Sequence, residues 1–182
     1  MPLGHIIMPS GNLFNVFDPE PDDFRIDDIA HKLAAIPRFG GSCDPWYSVA
    51  QHSVYASFMV KQNRMAALLH DGTEAYLLDF VRPIKVTFPP YEELEASLGC
   101  KLALSFGLPV NAFEDDEIKL VDDRLMALEA SVMIRNPQTV YAWVGVPDGS
   151  LYDIDPNFTG WTPKDAKAMF LQRFHELRVG DA

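Results

Sequence analysis

Residues 114–135 carry apolar side chains at a spacing that only a helix gathers on one face, and a carboxylate stands inside that face. Ile118, Val121, Leu125, Leu128 and Val132 recur at three- and four-residue intervals, and 100° steps stack them on one side. Asp122 falls within the stripe, about 40° from Ile118 by the same arithmetic, whereas Asp123 points well away. Glu129 falls on the stripe too. An uncompensated buried carboxylate is very unfavourable, so Asp122 must be paired, protonated or bound to a cation.

Two earlier segments pose the same problem with histidine. Ser48-Val-Ala-Gln51 has the form of a capping box and predicts a helix running to about Lys61. On it Val49, Ala56 and Val60 share a face with His52 and Ser53. Residues 62–80 read as another helix, ended near Arg82-Pro83. There His70, Glu74 and Leu77 share a face, with Asp71 turned about 100° aside. Three predicted helices thus project His52, His70 and Asp122 from apolar faces, with Asp71 adjacent. Two imidazoles and two carboxylates suit a divalent ion such as Mn, Fe, Co, Ni or Zn. The mixed nitrogen and oxygen set favours six-coordination with open water positions over a closed tetrahedral site. Taken singly, each group has a plainer reading. A histidine on an apolar face is more often a satisfied core residue, and a lone aspartate serves as an ion-pair partner. The joint occurrence favours the ion, because one cation supplies a partner for all four.

The rest of the chain predicts a mostly α fold: a bundle of five to six helices with minor N-terminal strands. Residues 5–8 and 13–16 read as short strands around Pro9-Ser10-Gly11-Asn12. Asp27 is the expected N-cap of a short helix stopped before Pro37. Residues 90–106 form a helix with Pro90 in its first position, and Thr162 caps the last one. Residues 139–159 are turn-rich, with a strand expected at 140–144. No repeat or linker divides the chain, and 182 residues fit one domain spanning residues 1–182 at roughly 100–200 residues per domain.

Charge narrows the partners. The net charge of −11 repels a phosphate backbone at long range, which argues against duplex nucleic acid. Cys43 and Cys100 form no C-x-x-C pair, so a structural zinc cluster is excluded. There is no charged-then-apolar leader and no apolar run of about 18 residues. A cytoplasmic protein without a membrane partner is the expectation.

The order His52, then His70-Asp71, then Asp122 resembles the H…HD…D signature of the HD-domain metal-dependent phosphohydrolases. Arg38-Phe39-Gly40, residues 47–53 (Tyr-Ser-Val-Ala-Gln-His-Ser) and residues 67–76 (Ala-Leu-Leu-His-Asp-Gly-Thr-Glu-Ala-Tyr) resemble its 5′-deoxynucleotidase branch. So does Asp79 followed by Arg82-Pro83-Ile84-Lys85. Short phage dATP triphosphohydrolases look similar as well. The resemblance runs from about Ile26 to Glu129.

The resemblance implies an HD-domain helical bundle in which His52, His70, Asp71 and Asp122 hold one divalent transition metal (Mn, Co, Zn, Fe or Ni). It implies Glu74 and Asp79 as catalytic residues, the first as acid/base near the attacking water, the second near the sugar 3′-hydroxyl. Arg38, Phe39 and Lys85 become substrate-binding residues, Arg38 and Lys85 toward phosphate. Phe39 stands where relatives often have Trp against the deoxyribose. The implied activity is a 5′-deoxynucleotidase acting on a small-molecule deoxyribonucleotide. The alternative is a dNTP triphosphohydrolase with a second divalent ion, for which Arg38, Arg82 and Lys85 would supply cations. A non-catalytic nucleotide-binding protein is a further alternative, and the presence of Glu74 argues against it. An oxygenase with two irons would need additional ligands. Relatives are commonly dimers or larger, which implies a homo-oligomer. The helix at 90–106 is then either an interface or part of the chain's own core.

Overall fold

The computed structural model describes residues 3–144 and 160–180. These form the expected mostly helical bundle with minor N-terminal strands. Strands β1 (His5–Ile7) and β2 (Leu13–Asn15) pair antiparallel, with Ile6 opposite Phe14. The turn between them places Gly11 at φ +86, a conformation that costs glycine little. Helix α1 (Ile26–Ala35) begins after Arg25 rather than at an Asp27 cap. Asp27 and Asp28 lie in its first turn, where negative charge suits the helix dipole. Asp28 is buried and accepts from both the backbone N and the hydroxyl of Ser10, each at 2.7 Å. These bonds tie the hairpin to the bundle.

Helix α2 (Val49–Met59) occupies the centre, packed by α1, α3 (Arg64–Leu69), α7 (Asp116–Met133) and α9 (Pro163–Gly180). Ser48 caps it by accepting from Gln51 N at 3.2 Å. The Gln51 side chain reaches elsewhere, accepting from Trp161 N at 2.9 Å. Because four helices surround α2, burial extends beyond one face to residues 49–54, 56 and 57. Ser53 and Ser57 satisfy their hydroxyls on the backbone carbonyls of Val49 and Val54.

The single helix expected at 62–80 is broken. α3 ends at Leu69, residues 70–73 turn, and α4 (Glu74–Leu77) follows. Gly72 N donates to Leu69 O at 2.8 Å and Glu74 N to Asp71 O at 3.0 Å, a tighter winding than the α-helix. The turn lies against α6 (Pro89–Ser105). A Cβ on Gly72 would stand 2.6 Å from Leu102 Cδ2 and 2.8 Å from Leu69 O. α6 buries Leu98, Gly99, Leu102 and Ala103 within the chain's own core. Helix α5 (Arg82–Lys85) is one short turn between α4 and α6.

Along α7 the expected stripe is buried at Ile118, Val121, Leu125, Leu128 and Glu129, but Val132 is 41% exposed. At this last turn the covering element is the 38–47 loop. Asp44 N donates to Met133 O at 3.1 Å, and Met133 is buried in the cluster that contains Tyr47. The strand expected at 140–144 is instead helical, within α8 (Gln138–Val144). Val140 packs on Ala127 and Ala130 of α7. A helix satisfies its backbone locally, whereas a strand there needs a partner edge. The expected helix count rises to nine segments among the described residues, through the break after α3 and the additions of α5 and α8. The expected turns at 145–159 lie outside the described residues. Thr162 caps α9 as expected, accepting from Asp165 N at 3.2 Å. No helix among the described residues is long and apolar enough to cross a membrane.

Candidate metal centre

The turn at 70–73 and helices α2 and α7 bring all four expected ligands together. His52, fully buried, points Nε2 at Asp122 Oδ1, 3.1 Å away, and at Asp71 Oδ2, 3.7 Å away. His70 Nδ1 lies 2.8 Å from Ala67 O. A carbonyl only accepts, so Nδ1 carries the proton and Nε2 offers its lone pair. That Nε2 stands 3.3 Å from Asp71 Oδ1 and 4.0 Å from Asp122 Oδ1. Ligand atoms of His52, His70 and Asp71 all lie within 4.8 Å of one another, and Asp122 enters from α7.

His52 Nε2, His70 Nε2, Asp71 Oδ2 and Asp122 Oδ1 are buried and lack a hydrogen-bond partner among the described residues. Four electron-pair donors facing one another repel unless a proton or a cation lies between them. The donor set, two imidazole nitrogens and two carboxylate oxygens, fits a divalent metal ion.

The protein's own charges register this demand. Burial and the Arg38 charge push the His52 imidazolium down, but Glu129 and Asp122 outweigh them and raise His52 to about 9. Burial alone would raise Asp122, yet His52, His70 and Arg38 hold it well below the ordinary carboxylate range. Arg38 is buried with its guanidinium against three acids. Nη1 is 3.5 Å from Asp71 Oδ2, and Nη2 is 3.8 Å from Asp122 Oδ1 and 3.4 Å from Glu129 Oε2. Its pKa rises well above the usual value because Glu129, Asp71 and Asp122 outweigh the cost of burial.

The centre opens into a cavity of about 580 Å³, a size that suits a small ligand. Asp71, Asp122, Arg38, Phe39, Glu74, Asp79 and Lys85 all line it, so every expected site residue except the two histidines faces one space. Glu74 is buried and its Oε2 lacks a hydrogen-bond partner among the described residues. Burial first, then the charges of Asp71 and Asp79, raise its pKa well above that of an ordinary carboxyl. Burial also lifts Asp79, against the pull of Arg38. Phe39 sits at φ 53, a left-handed backbone uncommon for an aromatic residue. The Arg38 guanidinium carbon is 5.7 Å from its ring centroid. Lys85 forms an ion pair with Glu95 of α6.

Arg82, expected as a cation for a triphosphate, pairs with Asp123 at 3.0 Å and reaches Asp122 at 3.6 Å. Other lining residues carried no sequence signal. Phe80, Met126, Ile134 and Val140 form an apolar wall, with Asn136 and Thr139 beside it. Periodicity finds a helix face, but not which faces of distant elements meet. Glu95 and Tyr47 escaped for the same reason.

No family model matches the chain. It is similar to the uncharacterized protein YfdR of Escherichia coli (strain K12), 32% identical over 170 residues that cover 92% of each chain. An uncharacterized protein of Rhodobacter capsulatus is 40% identical over 113 residues, covering 56% of this chain and 58% of that one.

Proposed function

The chain belongs to the family of Escherichia coli YfdR, and for this member we propose divalent-metal-dependent hydrolysis of a phosphate ester in 2′-deoxyribonucleotides, dNMP to deoxynucleoside and phosphate. One observation carries the proposal. Four buried, unpartnered donor atoms on His52, His70, Asp71 and Asp122 converge at the end of a ligand-sized cavity. The resemblance to HD-domain phosphohydrolases supplies the reaction class, and the arrangement of the remaining residues supports it.

His52, His70, Asp71 and Asp122 would hold the ion. A divalent ion held there lowers the pKa of water and polarises a phosphoryl oxygen. Glu74 contributes the proton step: burial, and next Asp71 and Asp79, favour its protonated form, so its carboxyl can deliver a proton and take one back. Arg38 presents a planar guanidinium toward phosphate oxygens, a geometry that lysine cannot reproduce. Its acidic neighbours hold it in place before substrate arrives. Asp79 and Phe39 both line the cavity, where the first would accept from a sugar hydroxyl and the second would offer its ring to the deoxyribose. Phosphoryl transfer needs positioning and charge neutralisation more than covalent chemistry, and these side chains provide both.

The pairing of the cavity cations favours a monophosphate. Arg38, Arg82 and Lys85 each already face one or more carboxylates, which leaves less positive charge for a triphosphate. The test is a panel of deoxyribo- and ribonucleotides with product identification, run with Mn, Co and Zn in turn. Inorganic phosphate from dNMPs is the expected product. Inorganic triphosphate from dNTPs would replace this reading with a triphosphohydrolase. Nucleotide binding without turnover would replace it with a binding protein.

A further inference from the structure

Glu129 is fully buried, two helical turns beyond Asp122 on the same face of α7. No step of the proposed reaction uses it. Burying a carboxylate this deeply is costly unless each oxygen is answered, and here both are. Oε1 lies 2.7 Å from His52 Nδ1, and Oε2 lies 3.4 Å from Arg38 Nη2. Burial, and next the nearby Glu129 carboxylate, push the buried Tyr47 hydroxyl well above its ordinary pKa. One side chain therefore touches both an expected metal ligand and the expected phosphate-binding arginine.

We infer that Glu129 is a positioning residue that sets His52 and Arg38 together, the first toward the metal and the second toward the substrate. The inference rests on the metal reading above. The chemistry is directional. A carboxylate 2.7 Å from Nδ1 accepts a hydrogen bond, which keeps a proton on Nδ1, so Nε2 is the nitrogen that gives its lone pair once a metal displaces its proton. The same bond fixes the plane of the ring, and Nε2 then faces Asp122 Oδ1 at 3.1 Å. His70 is set by a different device, the Ala67 carbonyl at 2.8 Å. A carbonyl is neutral, whereas Glu129 adds negative charge, which strengthens imidazole as a ligand. Through Oε2 the same carboxylate holds one arm of the Arg38 fork.

The distinguishing variants are Glu129→Gln and Glu129→Leu in the full chain. In Glu129→Gln the amide oxygen still accepts from Nδ1, but its NH2 then faces Arg38 and the charge is gone. Zinc affinity, read by chelator competition, should fall roughly 10–100-fold in Glu129→Leu, and by less in Glu129→Gln. Inorganic phosphate affinity should fall in both. In zinc-loaded wild type, nitrogen-15 spectra should show His52 protonated at Nδ1, and Glu129→Gln should retain that pattern. Equal zinc affinity in wild type and Glu129→Gln, with an unchanged phosphate affinity, would overturn the inference alone, even if the leucine variant fails to fold. A wild-type chain that binds no zinc would overturn the metal reading and this one with it.

Discussion

Arg82 donates to Asp123 Oδ1 at 3.0 Å and also lies 3.6 Å from Asp122 Oδ2. One residue earlier, Asp122 turns Oδ1 to within 3.1 Å of His52 Nε2. Adjacent carboxylates on one helix thus share Arg82, but about 100° of rotation carries Asp122 to His52 as well. Asp122→Ala should therefore abolish both stoichiometric zinc and phosphate release. Asp123→Ala should keep most of both, since the salt bridge of Asp123 is to Arg82, outside the expected ligand set. Metal content by elemental analysis and product assay on the two proteins provide the comparison, and an active Asp122 variant would remove it from the ligand set.

Glu74→Gln keeps the shape of the side chain and removes its proton exchange. Zinc should remain bound, while kcat should drop by roughly 10²–10⁴-fold. Normal turnover in this variant would reject Glu74 as the acid/base group.

The metal-free chain should lose stability with rising pH. His52 titrates at about 9 in the folded protein, above its ordinary value of 6.5. Folding therefore takes up a proton on this group. The stabilisation is whole below about pH 6.5 and vanishes as pH rises through about 9. Denaturation midpoints with chelator present should decline across that window. Saturating zinc should flatten the decline, and zinc uptake below pH 9 should release protons. A metal-free midpoint that is constant from pH 6.5 to 9 would contradict the assignment.

Gly72→Ala tests the turn that carries two ligands. Its Cβ would meet Leu102 Cδ2 at 2.6 Å and Leu69 O at 2.8 Å. The first contact can yield by side-chain motion, but the second is backbone. Destabilisation of about 1–3 kcal/mol is expected, along with weaker zinc binding, because the turn sets His70 and Asp71. Urea denaturation and chelator competition measure the two effects separately. Wild-type zinc affinity in this variant would show that the turn tolerates displacement.

Much of the centre was legible from local pattern. Ser48 and Thr162 announced two helix starts, and the α7 stripe distinguished Asp122 from Asp123. Local pattern also marked Glu129 as a buried acid with a debt to satisfy, although its partners were hidden. The strand expected at 140–144 failed because a short apolar run does not say whether its surroundings offer a strand edge or a helix face. Here they offer α7, and the run coils onto it.

The sequence by itself determined the helical class, the capped starts and the four candidate ligands. Each follows from the 3.6-residue period and the cost of burying charge, which act within one segment. The tertiary structure decided how His70 and Asp71 serve one site. On the straight helix expected for 62–80 they would point about 100° apart. The close approach of α6 at Gly72 accompanies a turn at 70–73, and His70 Nε2 and Asp71 Oδ1 come within 3.3 Å. The same packing of distant elements placed Glu129 between His52 and Arg38. Contacts across 77 and 91 residues of chain depend on which helix faces meet, and no local period encodes that.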